Sequence, residues 1–230
     1  MSTIIPGVIL VSLAGLAACY LTIHLPKAKK KKQAMKQWAD QRGFDYQADF
    51  DSSPQETFAP LRLFCLQPTG GRLSHVMRRS RPVTWLFEHE YSIHRDQNVR
   101  QSVAAFQMSH QYEPLVIQSR KRERFTVAAM RIFTAKLANW QHNYREIDCS
   151  EDRHFSKQYR LFSASMAPIT CDTITQKARA HLAKQPGWNL EVHGHWLLVY
   201  REGILIKPAH LDAFLKSATG LCNLLDLKKR

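Results

Sequence analysis

His193-Gly194-His195 sets two imidazoles two residues apart, and on a strand that spacing turns both to one face, where a divalent ion such as zinc could sit between them. A metal site needs a third ligand and usually a fourth. No Cys, Asp or His stands nearby at ligand spacing, so the expected state is a glycine-centred strand or turn with exposed histidines and no metal. A second group, Glu88, His89, Glu90 and His94, has the types needed for acid–base work. Strand alternation places Glu88 and Glu90 opposite His89, so the three do not converge. There is no phosphate-binding glycine loop, dinucleotide fingerprint, nucleophile elbow, zinc-protease helix or kinase signature. No cofactor is expected. An enzyme of unfamiliar pattern, using Glu88, His89 or the His193 and His195 pair, is the alternative to a binding role.

The other residues that could act are cations. Lys27, Lys29, Lys30, Lys31 and Lys32 form one run; Arg72, Arg78, Arg79 and Arg81 form a second; Arg120, Lys121, Arg122 and Arg124 form a third. Should the strands carrying the last two groups bring their ends together, one cationic patch results. It would suit lipid headgroups, RNA or an acidic protein. The formal charge of +14 calls for an anionic neighbour. No aromatic RNA-binding pattern, helix-turn-helix or zinc finger supports sequence-specific nucleic-acid binding, which leaves a membrane-tethered nucleic-acid binder as the third reading.

The stretch before the lysines supplies the anion. Ile4 to Leu25 is an uncharged apolar run of about 22 residues, which as a helix covers roughly 33 Å, enough for a hydrocarbon core of about 30 Å. Lysines follow it and no Lys or Arg precedes it, so the positive-inside bias puts the C-terminal part in the cytoplasm. Basic residues beside such a helix gain about 1 kcal/mol each from an anionic leaflet. The alternative anchor is lipid on Cys19, because Leu16-Ala17-Ala18-Cys19 matches the bacterial lipobox. The expected division is a transmembrane anchor over 1–26, a basic juxtamembrane helix over 27–43 and a cytoplasmic domain over 44–230.

The elements that must position these residues follow from periodicity. Helices are expected over Lys29–Arg42, closed by Gly43, over Arg122–Trp140, over Asp172–Lys184 capped by Asp172, and over Pro208–Leu227. Strands are expected at Phe44–Tyr46, Leu61–Gln67, Leu73–Arg79, Val83–Ile93, Ser102–Met108, Pro114–Ser119, Tyr144–Cys149, Gln158–Ala164, Trp188–Val192 and His195–Tyr200. Val83–Ile93 alternates as a half-buried strand does. The fold class is therefore α+β, an N-terminal transmembrane helix followed by an antiparallel sheet with several packing helices. Five scattered cysteines with no C-x-x-C pair read as reduced, mostly buried thiols.

Trp38-Ala39, Gly43-Phe44-Asp45-Tyr46 and Phe155-Ser-Lys-Gln-Tyr159 together resemble a group of uncharacterised bacterial proteins with one N-terminal membrane anchor. The resemblance implies a bacterial inner-membrane setting and brings no activity, cofactor or site residue. The expected role is a single-pass, membrane-tethered binding or scaffold protein that contacts a protein partner or anionic lipid.

Overall fold

The computed structural model describes residues 27–49, 53–65, 71–94, 97–120, 144–166 and 169–225. The apolar run, with Cys19, and the helix expected over Arg122–Trp140 lie outside the described residues. Among those described, no helix is long and apolar enough to cross a membrane.

The chain is α+β. Helix α1 (27–41) leads into β1 (Asp45–Asp49), the short helices α2 (Ser53–Phe58) and α3 (Arg62–Cys65), then β2 (Arg72–Ser80), β3 (Val83–His94) and β4 (Gln97–Ser119). After them come β5 (Arg145–Ile147), α4 (Arg153–Gln158), β6 (Tyr159–Ser163), α5 (Gln176–Lys184), β7 (Asn189–Tyr200) and α6 (Leu211–Leu224). Among the described residues, seven strands form one antiparallel sheet in the order β1-β2-β3-β4-β6-β5, with β7 also paired to β4.

Both faces of the sheet are covered, which corrects the half-buried reading of β3. Leu86 packs with Met35, Trp38, Ala39, Leu197 and Phe214 under α1 and α6. Trp85 and Phe87 pack on the other face against Phe58, Leu61, Leu63 and Phe64. Residues 61–65 of the strand expected over Leu61–Gln67 are thus not extended. Residues 62–65 form α3, and the α2–α3 segment roofs the second core. Phe58 is its centre, with the Trp85 and Trp196 rings meeting it edge-on at 5.7 and 4.9 Å.

The two strands expected over 102–119 are one, and so are the two expected over 188–200. Each carries an irregularity that sequence alternation does not reveal. In β7, Leu190 and Val192 face the first core, and so do Leu197 and Val199, although an uninterrupted strand would send those two pairs to opposite faces. In β4, Ala104 and Phe106 share that core with Leu115 and Ile117. The phase slips where register is lost between Gln107 and Leu115, opposite Gly194 at φ +59°. A Cβ at position 194 would meet nothing within 4 Å, so glycine serves there for its left-handed backbone and not for space.

Two more expectations change. α5 begins at Gln176 and is capped by Thr175, whose hydroxyl accepts from the Ala178 N–H at 3.2 Å; Asp172 falls in a preceding 3-10 turn. Cys149 and Cys171 are joined by a disulfide, with Cα atoms 5.3 Å apart, while Cys65 and Cys222 are free. The reading of all cysteines as reduced thiols is overturned. Cys171 precedes Arg179, whose buried guanidinium donates to Asp152, Asp172 and the carbonyls of Cys171 and Ile174, tying the disulfide loop to α4 and α5.

Candidate anionic-surface site

Helix α1 is half core and half surface. Met35, Trp38 and Ala39 are buried in the first core, and the Trp38 ring lies 5.5 Å from Phe44 and donates through Nε1 to Asp212 on α6 at 3.2 Å. Arg42 bonds to the same carboxylate and stacks over the Trp38 ring. The lysine-bearing helix is therefore part of the folded sheet domain and not a separate linker. Lys27, Lys29, Lys30 and Lys32 are exposed on it.

Lys31 differs from them. It reaches Glu88, a carboxylate only 3% exposed, at 2.7 Å. Glu88 also faces Arg100 at 3.6 Å, and Arg100 pairs with Glu90 at 3.2 Å. Glu88 and Glu90 do share a face opposite His89, as alternation requires. His89 is buried against Phe64 and Tyr91, in the second core, away from both carboxylates. The acid–histidine group is thus split by the sheet, with its acids held by cations.

Below α1, a cleft of about 400 Å³ opens between its first turns and strands β1 to β4, lined by Lys29, Lys31, Lys32, Arg72, His75 and Arg100 together with Asp49 and Glu90. His75 sits at a register shift in β2 at φ +50°, a left-handed backbone uncommon for a residue with a Cβ. Its Nδ1 shares a hydrogen bond with the Tyr46 hydroxyl at 2.7 Å. Burial, with Glu88 and Asp49 adding, pushes Tyr46 up to about 12, so the hydroxyl keeps its proton. Burial also pulls the His75 imidazole below its ordinary value, against the pull of Glu88, so the ring is neutral at pH 7.

The remaining cations among the described residues do not gather. Arg78 lies over Trp85 at 5.0 Å and Arg79 over Phe44 at 4.8 Å, and Arg81 is exposed at the turn of the β2–β3 hairpin. That hairpin flanks Phe106, whereas Arg120 follows Ser119 beyond the slip in β4. There it donates to the Ser156 carbonyl and faces Glu146. No described contact joins the two groups into the single patch expected from sequence. Lys121, Arg122 and Arg124 lie outside the described residues. His193 and His195 flank a left-handed glycine, which breaks the alternation that would have turned them to one face. Among the described residues, no group of three or more His, Cys, Asp or Glu could hold a metal.

Sequence reasoning missed a buried polar group under α3. Glu191 is 1% exposed; it accepts from the Leu63 N–H at 2.8 Å and from the Tyr200 hydroxyl at 2.5 Å, and Arg62 Nη1 lies 3.8 Å away. Burial raises the Glu191 carboxyl above its ordinary range, even though Arg62 and the two donors oppose this. An uninterrupted strand would hold residues 191 and 200 about 30 Å apart. The contact exists because β7 bends at Gly194.

No family model matches the chain, and no curated protein matches it. In three dimensions it is similar to the crystal structure of the mycobacterial trehalose monomycolate transport factor A, TtfA, with a TM-score of 0.55. The match covers 86% of this chain and 98% of that one at 12% sequence identity. At that identity the likeness speaks for the fold alone.

Proposed function

We propose that residues 4–25 cross the bacterial inner membrane once and that the α+β domain is a membrane-tethered binding module whose lysine-bearing helix meets anionic lipid. The observation that carries this reading is the packing of α1. Met35, Trp38 and Ala39 fix the helix to the core, so Lys27, Lys29, Lys30 and Lys32 are presented in a set direction within two turns of the apolar run. A floating linker would lose rotamer and backbone freedom on every contact; a docked helix has already lost most of it. The positive-inside bias places the domain in the cytoplasm, with a protein partner as the other surface it would hold near the bilayer.

The test uses the full chain in nanodiscs. Tryptic cleavage after Lys27 to Lys32 should be slower in phosphatidylglycerol than in phosphatidylcholine at low salt, and the difference should fade near 0.5 M salt, where the screening length falls to roughly 4 Å. Equal cleavage in both lipids at low salt would overturn the reading.

A second reading draws on the Cys149–Cys171 disulfide, because such bonds persist in oxidising compartments. On it the domain lies on the outer side, held by the apolar run or by lipid on Cys19. A reporter fused after Arg230 separates the two: one active only in the cytoplasm supports the first, one active only outside it supports the second.

A further inference from the structure

The cleft under α1 has an uneven charge balance. Its walls and floor bring Lys29, Lys31, Lys32, Arg72 and Arg100 together with Asp49, Glu90 and the adjoining Glu88. Three of the five cations are committed: Arg72 to Asp49 at 3.3 Å, Arg100 to Glu90 at 3.2 Å, and Lys31 to Glu88 at 2.7 Å. Lys29 and Lys32 remain, three apart on one helix face, and among the described residues no carboxylate of the cleft is left to match them. Below them stands His75, held in a left-handed backbone by the surrounding strands and fixed in orientation by Tyr46. Strain of this kind collects where a side chain must be aimed. The volume, about 400 Å³, lies within the range of about 300–1,000 Å³ typical of small-molecule sites.

We propose that this cleft is a phosphate subsite, in which Lys29 and Lys32 bind the charge of a phosphate ester and His75 contributes a hydrogen bond from its ring. The inference rests on the lipid-facing reading above and narrows it from a charged face to one place on that face. Residue 29 lies four positions beyond Leu25, at most about 14 Å of chain, so a lipid headgroup is within reach. Free phosphate carries the same chemistry, and the experiment separates the two sources.

The full chain in a phosphate-free detergent is titrated with short-chain phosphatidylglycerol below its micellar concentration, and separately with inorganic phosphate, and the phosphorus resonance of each probe is followed. K29Q/K32Q should weaken binding about tenfold or more, since charge-assisted bonds to phosphate are lost. K27Q/K30Q removes the same charge from outside the cleft and should weaken it less than about threefold, as exposed charges do. H75N keeps a residue tolerant of left-handed backbone and should leave the unfolding midpoint in place while binding falls. Binding of the lipid alone assigns the site to headgroups; binding of inorganic phosphate alone assigns it to a free anion. Equal losses in the two lysine pairs would overturn the subsite and leave the general basic face standing. Failure of both probes to bind would also overturn the subsite, while the tryptic protection described above tests the lipid-facing reading separately.

Discussion

Replacing Arg62 by methionine is expected to lower the unfolding free energy by about 3–5 kcal/mol, the usual cost of leaving a buried carboxylate without its cation. Arg62 is 7% exposed and its partner Glu191 is 1% exposed, so water cannot take over the lost interaction. The double variant R62M/E191Q should recover most of the loss, because the side-chain amide is neutral and its oxygen can still accept from Tyr200 and Leu63. The loss should also depend on pH. Burial raises the folded-state value of Glu191 above its ordinary 4.5, so the folded chain holds the proton more tightly than the unfolded one. Stability from this group is therefore complete below about 4.5 and is lost as pH rises through the folded-state value. The R62M deficit should accordingly grow from pH 4 towards neutrality, and E191Q should flatten that dependence. Urea unfolding of the full chain at several pH values measures both. A deficit independent of pH would show that Arg62 acts by packing alone.

The second large effect is expected at Trp38. W38A removes a ring that is 6% exposed and that joins α1 to Phe44 and, through its indole N–H, to Asp212, so about 3–5 kcal/mol should be lost. W38F should keep the ring packing, lose the bond to Asp212 and fall between. The functional consequence is sharper than the energetic one. With its core contacts weakened, α1 should become open to trypsin across residues 27–41 before the sheet unfolds, and the protection conferred by anionic lipid should shrink with it. An unfolding midpoint unchanged in W38A would mean that α1 is not part of the cooperative unit.

Much of the sheet was legible because β3 alternates cleanly, and the lysine helix because its apolar positions recur at helical spacing. What escaped has a physical reason in each case. Leu61-Arg62-Leu63 alternates as a strand would, yet Leu61, Leu63 and Phe64 all reach one core because the backbone coils there. α4 spans only six residues, too few to show a period, and its one sequence signal was the cap, Asp152 accepting from the Phe155 N–H. The disulfide joins positions 22 apart with no spacing that marks them as partners. Of the cleft, the lysines were visible as a run, but Arg72, His75 and Arg100 come from two other strands that only the fold brings beneath them. The Arg62–Glu191 group was invisible for a deeper reason: reading side-chain faces by parity assumes an unbroken ladder, and Gly194 shifts that parity by one.

The strands shared between the two cores have a consequence for how the molecule comes apart. β4 and β7 each contribute residues to both apolar clusters, Ala104 and Leu197 to one, Ala105 and Leu198 to the other. Neither layer can melt while its neighbour stays whole, since the strands that hold one are the strands that hold the other. The two layers of the sheet are therefore expected to melt together, whether or not α1 has already come away.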